Sequence, residues 1–490
     1  MRVSRVSTTV GALFATFIVL LAVSPATGEK GGANEVPITT RSGEARQEYL
    51  RGRALLEKLR ATDARTHYAK AVELDAAFAL AHFGMANTAP TASEFFAALR
   101  QAAAHAEQAS EGEAHLIRAF EAGVNGQADA QRQHLAALVK SFPGDERVHN
   151  LVGNFFFGRQ EWLPAITEYR KAIAIDPAFS QPYNQLGYAL RFLERYDEAE
   201  QVFKKYVELI SDEPNPYDSY AELLMKMGRF TDSITQYEKA LEIQPSFVAS
   251  YVGIANDQIF MGQPQEARKT LTRLEKIVRN DGERRQVCTW AAISYLHEGD
   301  AKSALGEVER CFEIAKNAND RTTMSGDLNF MANIQLEAGQ GEAALASFNE
   351  SVAAVEAGDA TPEVKETARR NHLFDRARVE LLRNDVAPAE ATAMEYRQQV
   401  EAKKLPFELR QSAELLGLVA LSKGDHKAAA RELERANQQN PRVLFELGLA
   451  YAAAGRAEPA RRAFERAATF NGLNVNYAYV RAKALAKLRS

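Results

Sequence analysis

The residues that could perform catalysis or hold a metal ion are scattered in this sequence. None of the nine histidines forms an HxxxH pair or belongs to an HExxH motif, the patterns that place two imidazoles on one helix face for zinc. The phosphate-binding pattern GxxxxGK[ST] and the nucleophile motif GxSxG are also missing. We therefore predict no catalytic residues, no metal ligands, no cofactor and no enzyme activity.

Composition and charge exclude further classes of protein. Hydrophobic residues make up 46% and charged residues 25% of the 490 residues, a balance typical of a folded globular chain. The net charge is −4, which provides no general attraction for nucleic acid. Two cysteines are too few for a disulfide scaffold or a multi-cysteine zinc site.

Residues 1–28 are predicted to be a secretory signal peptide. Arg2 and Arg5 precede the uncharged stretch Val10–Val23, whose 14 residues would span about 21 Å as a helix. This length is short of the ~30 Å hydrocarbon core of a membrane, and small residues follow it. Cleavage after Ala26 or Gly28 would leave a polar linker, 29–43, and no membrane span. We expect an exported protein that is located in the periplasm. The alternative is a protein anchored in the membrane by an uncleaved N-terminal segment.

A period of 34 residues organises the rest of the chain. Gly153 and Gly187 are 34 residues apart, and Ala119 and Ala221 lie one period to either side. A second set of residues keeps its spacing within these units: Tyr169, Ala172 and Pro177 after Gly153, and Tyr237, Ala240 and Pro245 after Ala221. Such a period is typical of a stacked repeat architecture.

These residues resemble the tetratricopeptide repeat family, whose unit is a helix, a tight turn and a second helix. The resemblance implies an all-α solenoid, a right-handed superhelix of antiparallel helix pairs. Small residues at Gly153 and Ala165 would let two helices approach while Tyr169 fills the space beside them, and Pro177 cannot continue the second helix. About twelve units cover nearly all of Glu44 to Leu473.

The array divides into two parts by its regularity. Residues 44–284 form an N-terminal array with its strongest repeats in 112–281, and 285–473 form a C-terminal array whose unit spacing grows from 34 to as many as 45 residues. The extra residues must lengthen helices or loops. Residues 474–490 are predicted to be a solvated capping helix that covers the last apolar face.

The two cysteines fall on neighbouring helices of one unit. Cys288 precedes the predicted turn at Gly299 by 11 residues and Cys311 follows it by 12, so both lie roughly 17 Å from the turn. An exported protein meets an oxidising environment, which makes a Cys288–Cys311 disulfide one option. The other is that both are small buried hydrophobic residues.

The resemblance also implies a concave groove lined by the first helix of each unit. Its groove positions carry asparagines, aromatic residues and a few charges, which suits an extended peptide backbone. Alternatively, the asparagines are only tolerated on a solvated helix face. Family members that bind a C-terminal carboxylate have a lysine at the fifth position of the unit, where this chain has Asn150. The predicted peptide-binding residues are Asn150, Asn154, Phe157, Asn184, Tyr188, Arg191 and Asn256.

The function expected from this pattern is that of a non-catalytic scaffold. It would bind a protein or peptide segment in its groove outside the cytoplasm. Two alternatives remain: a self-associating structural protein of the cell envelope, and a regulatory partner of an enzyme. The sequence does not identify the partner, because one repeat fold serves many roles.

Overall fold

The structure is a computed structural model that describes residues 34–489. The predicted signal peptide, 1–28, and the first part of the predicted linker lie outside the described residues. The first fourteen helices are α1 (Gly43–Glu57), α2 (Ala61–Leu74), α3 (Ala79–Asn87), α4 (Ala92–His105), α5 (Glu111–Val124), α6 (Ala128–Ser141), α7 (Glu146–Gly158), α8 (Trp162–Ile175), α9 (Gln181–Phe192), α10 (Tyr196–Leu209), α11 (Pro214–Lys226), α12 (Phe230–Ile243), α13 (Val248–Phe260) and α14 (Pro264–Glu275).

The remaining helices belong to the less regular half of the chain. They are α15 (Asp281–Glu298), α16 (Ala301–Asn317), α17 (Arg321–Glu337), α18 (Gly341–Glu356), α19 (Pro362–Leu382), α20 (Val386–Lys403), α21 (Pro406–Ser422), α22 (His426–Arg435), α23 (Pro441–Ala453), α24 (Ala457–Ala468) and α25 (Asn476–Arg489). Residues 34–489 contain no strand, so the predicted all-α solenoid is confirmed. Helices α1 to α24 form twelve consecutive pairs, each helix packing on the next in the chain.

In several pairs, a small residue on the first helix faces an aromatic residue on the second. A Cβ atom placed on Gly153 of α7 would lie 2.4 Å from Cε1 of Tyr169 on α8, closer than any real contact. Tyr169 is fully buried and its hydroxyl donates to Asn154 Oδ1 over 2.9 Å. The predicted role of glycine at this crossing is therefore confirmed, because any side chain there would displace the ring.

The longer units of the second half contain longer helices. Helices α5 to α14 have 12 to 14 residues, whereas α15 to α21 have 16 to 21. The extra residues predicted after residue 280 thus extend the helices. The additional residues amount to roughly one turn of each helix.

The superhelix is so tightly wound along its axis that one superhelical turn contacts the next. Ala92 N donates to Asp320 Oδ2 over 3.3 Å, and Gln439 Nε2 donates to the carbonyl of Phe192 over 3.3 Å. Two further bonds of this kind join Thr361 to Asn125 and Arg410 to the carbonyl of Arg159. The partners are 228 to 251 residues apart, and their order along the two turns is the same. The second turn therefore lies directly on the first.

The residues before α1 form an extended segment, the N-terminal strap (residues 35–41), that crosses the starts of the first helices of three pairs. Val36 N donates to Asp145 Oδ2 over 2.9 Å, and Thr39 N donates to Glu113 Oε1 over 2.7 Å. Farther along, Thr40 Oγ1 donates to Asp75. The described part of the predicted linker is thus bound to the repeats.

Helix α25 covers the end of the array and also contacts α13 and α15. Tyr477 is fully buried, and its ring lies 4.7 Å from that of Phe260 on α13. The guanidinium of Arg481 lies 4.3 Å from the same Phe260 ring. The expectation of a solvated helix is wrong for this half of α25, because the compressed superhelix brings α13 and α15 against it.

Candidate binding site

The two stacked turns enclose an inner cavity of about 1500 Å³. First helices, loops between helices and the ends of several second helices supply its walls, from the α1–α2 turn to α25. Pockets that bury a small molecule usually have volumes of about 300–1,000 Å³, so this cavity is large enough for a longer ligand.

Four of the predicted peptide-binding residues line the inner cavity: Phe157, Asn184, Tyr188 and Arg191. Arg191 donates to Glu222 over 3.2 Å, and its guanidinium lies 4.7 Å from the Tyr188 ring centre. Asn184 is 7% exposed, and its Oδ1 has no hydrogen-bond partner within residues 34–489. A buried acceptor without a donor is costly, so Asn184 favours a ligand that donates to it.

The other three predicted residues do not line the inner cavity. Asn150 Nδ2 lies 3.5 Å from Gln181 Oε1, and Asn154 accepts from Tyr169. Asn256 is fully buried; its Nδ2 donates to the carbonyl of Val252, and its Oδ1 accepts from Tyr477 over 3.1 Å. Asn154 and Asn256 therefore stabilise the array itself, while Asn150 Oδ1 is buried without a hydrogen-bond partner within residues 34–489.

The later repeats contribute cavity residues that the sequence analysis did not select. They are Gln286, Thr289, Asn329, Asn333, Arg378, Gln411, Glu414 and Arg442. All occupy the second, fifth or ninth position of their units, as do Gln181, Asn184 and Tyr188 in the regular block. Extending those positions through the irregular units would have found them.

Several of these residues belong to a charged cluster, formed by Glu337, Asp375, Arg378, Glu414, Arg442, Glu446 and Lys483. Arg442 of α23 pairs with Glu337 of α17, and Lys483 Nζ donates to the same carboxylate over 2.8 Å. Burial alone would raise the pKa of Glu337, but these two cations lower it to about 2. A charge that is largely buried needs a partner, so the Arg442–Glu337 pair ties α23 to α17, while the bond from the 52% exposed Lys483 of α25 contributes less.

Three acids of the charged cluster are less well compensated. Burial raises the pKa of Asp375 to about 7 and that of Glu446 to about 7. Burial also raises the pKa of Glu414, although Arg378 and Arg442 oppose this effect. The cluster thus contains carboxyl groups that a further cation would stabilise in their charged form.

The two cysteines lie side by side on α15 and α16, and the structure pairs them with a Cα separation of 5.9 Å, within the usual range for a disulfide. Arg285, one turn before Cys288, donates to the carbonyl of Cys311 over 2.7 Å and to both oxygens of Asp327. This geometry suits the disulfide, the first of the two options that the sequence leaves open.

Two other features of residues 34–489 bear on the site. No three histidine, cysteine, aspartate or glutamate side chains in this part of the chain are grouped so that they could hold a metal ion. No helix in it combines the length and apolar character needed to cross a membrane.

Comparison with known proteins identifies tetratricopeptide repeats within the chain. Profiles of the tetratricopeptide repeat family match residues 168–201, 215–247 and 414–487, together less than a third of the chain. No curated protein matches the sequence.

Several solved structures resemble parts of the chain. The MamA protein is 19% identical, with a TM-score of 0.29, over 34% of this chain and 91% of its own. A tetratricopeptide repeat protein from Parabacteroides merdae is 14% identical, with a TM-score of 0.38, over 54% of this chain and 99% of its own. The APC/C hetero-tetramer Cut9–Hcn1 is 14% identical, with a TM-score of 0.42, over 86% of this chain and 76% of its own.

Two of the three matched segments coincide with helix pairs of the observed array, whereas 168–201 begins within α8 and ends within α10. Residues 215–247 cover α11 and α12, and residues 414–487 cover the last helices from α21 to α25. The fold supports a protein–protein interaction scaffold, since stacked helical repeats present long binding surfaces. The chain is a helical-repeat protein that contains tetratricopeptide repeats.

Proposed function

We propose that this chain is a non-catalytic scaffold that binds an extended segment of a partner protein in its inner cavity, outside the cytoplasm. The observation that carries the proposal is the cavity lining around Asn184. There, a buried amide oxygen without a donor lines the same cavity as the aromatic rings of Phe157 and Tyr188. Peptide backbones donate N–H groups at regular intervals, and rings supply contact area at low entropic cost.

The N-terminal strap supports the same chemistry. The repeats already hold one extended segment by accepting from its backbone at Val36 and Thr39. Three residues of extended chain span about 10 Å, which matches the spacing of adjacent helices. A second segment held by successive repeats would follow the same geometry.

The proposed location rests on the sequence of residues 1–28. A basic start, a short apolar stretch and small residues favour export by a secretory signal. The paired position of Cys288 and Cys311 agrees with an oxidising environment. Fusing residues 1–28 to a reporter enzyme that is active only outside the cytoplasm tests this part.

Peptide binding can be tested without knowing the partner. A displayed library of random decapeptides would be selected on the full chain, and the selected peptides measured by fluorescence anisotropy. We expect Asn184→Ala to weaken binding about tenfold, because it removes the buried acceptor.

Asn317→Ala is the matched control, since Asn317 is an exposed asparagine at the end of α16. It should leave binding unchanged. Failure to select any peptide, or equal binding by the wild type and Asn184→Ala, would overturn the proposal.

A further inference from the structure

Glu414 differs from the other buried acids that line the inner cavity in having no direct partner. It lies on α21 at the fifth position of its unit, the position that Asn184 holds in the regular block. It is 9% exposed and lines the cavity. Within residues 34–489 its carboxylate forms neither a hydrogen bond nor an ion pair, although Arg378 and Arg442 act on it electrostatically.

The two nearby arginines are already engaged by other groups. Arg442 pairs with Glu337, donates to Asn333 over 3.2 Å, and lies 4.4 Å from the Tyr479 ring centre. Arg378 also donates to Asn333, over 3.0 Å, and its guanidinium is 3.6 Å from Asp375 Oδ1. Neither arginine therefore offers its hydrogen bonds to Glu414.

Other acceptors near these arginines also lack donors. Tyr479 lines the inner cavity and is 7% exposed, and its hydroxyl has no hydrogen-bond partner among the described residues. Asp375 Oδ1 is likewise without a hydrogen-bond partner in that part of the chain, at 4% exposure. Tyr479 can accept from a donor in the cavity, whereas Asp375 does not line the cavity and contributes only its charge. The charged cluster has four carboxyl groups against three cations.

A cation meets this arrangement better than an anion does. Guanidinium and ammonium groups carry several donors and no acceptors, so they satisfy carboxylate and hydroxyl oxygens together. An anionic group would meet Glu414 with like charge in a low-dielectric interior, which costs free energy.

We propose that Glu414 receives the lysine or arginine side chain of the bound segment, so that the inner cavity selects a basic peptide. This inference rests on the proposed function, since it assigns the chemistry of the segment that the cavity binds. Glu414 determines specificity here, and the amide and aromatic residues of the earlier repeats hold the rest of the segment.

Dye-labelled decapeptides with one common sequence test this inference. They carry two lysines, two arginines, two glutamines or two glutamates at the same positions, and anisotropy measures their binding to the full chain. We expect the basic peptides to bind about tenfold or more tightly than the glutamate peptide. Glu414→Gln, which keeps the side-chain shape, should remove most of this preference.

Glu458→Gln is the control, because it removes the same charge from an exposed residue of α24. Circular dichroism and melting temperature verify the folding of both variants. Equal binding of lysine and glutamine peptides, or a preference that survives in Glu414→Gln, would overturn this inference while leaving peptide binding intact. Binding of none of the peptides to the wild type would count against both proposals.

Discussion

The hydroxyl of Tyr477 donates a hydrogen bond to Asn256 Oδ1 over 3.1 Å, although 221 residues separate the two in the chain. Asn256 occupies a groove position of α13, where a partner would be expected to bind. Helix α25 therefore covers the groove face of α13 at Asn256, whereas Ala249 and Val252 of the same helix line the inner cavity. Binding of another molecule is left to the inner cavity between the two turns.

Replacing Tyr477 should destabilise the contact between α25 and α13, and removing more of the side chain should cost more free energy. We expect Tyr477→Phe to cost about 1–3 kcal/mol, because it leaves the buried Asn256 oxygen without its donor. Tyr477→Ala should cost about 3–5 kcal/mol by also creating a cavity. Hydrogen exchange of the amides in α13 and α25 measures the loss locally, since repeat arrays need not unfold as one unit.

The matched control is Leu485→Ala, which truncates a side chain of α25 that is 40% exposed. Exchange in α13 should stay as in the wild type for this variant. Unchanged exchange in α13 for Tyr477→Ala would show that α25 does not stabilise the groove face.

Replacing two helix glycines with alanine should change the stability of the fold in opposite directions. A Cβ on Gly253 would lie 2.1 Å from Cζ of the fully buried Tyr237, so Gly253→Ala should destabilise the fold by about 1–3 kcal/mol or more. Gly306 has no atom within 4 Å of such a Cβ, so Gly306→Ala should stabilise α16 by about 0.5–1 kcal/mol.

Urea titrations of the two glycine variants and the wild type, followed by circular dichroism, give the direction of each change. A Gly253→Ala protein as stable as the wild type would mean that the crossing of α12 and α13 can widen. Loss of stability in Gly306→Ala would contradict the open surroundings of that residue.

Counting thiols decides whether Cys288 and Cys311 are bonded. We expect no reactive thiol in the unfolded, unreduced protein, and a loss of roughly 3 kcal/mol on reduction from the entropy of closing this loop. The double variant Cys288→Ser, Cys311→Ser is the control, because its stability should not respond to a reductant. Two reactive thiols in protein purified from an oxidising compartment would exclude the disulfide.

The sequence predicted the features that depend on neighbouring residues. Gly153 and Tyr169 lie 16 residues apart, and their contact is set by one helix pair, so the 34-residue pattern identifies both the fold and the crossing. The long spacing after residue 280 likewise predicted extra residues in helices or loops. A local pattern suffices wherever each repeat contacts only the next one.

The compressed superhelix could not be predicted in this way. The contact of Gln439 with the Phe192 carbonyl depends on small rotations that add up over 247 residues. No unit's sequence reveals that sum, so the contact of Tyr477 with Asn256 was also missed. The N-terminal strap could not be predicted from the sequence either, because Val36 and Thr39 bind through backbone N–H groups that every residue except proline has.

Asp257 should make the stability of α13 depend on pH. It is fully buried, and burial raises its pKa to about 8 despite the nearby Ser233 hydroxyl. Below about pH 4 the carboxyl is protonated in both the folded and the unfolded chain, so its burial costs no ionisation free energy. As the pH rises towards about 8, the unfolded chain gains the charged form first, and the free energy of unfolding falls by up to about 5 kcal/mol.

Asp257→Asn should therefore be more stable than the wild type at pH 8 and should lose this pH dependence. Urea midpoints measured from pH 4 to pH 8 test the expectation, and Asp212→Asn, at an exposed position, is the control for removing a charge. An Asp257→Asn curve parallel to that of the wild type would show that Asp257 is charged in the folded protein. Buried carboxyl groups without an opposite charge keep their proton, so we expect the two curves to separate as the pH increases.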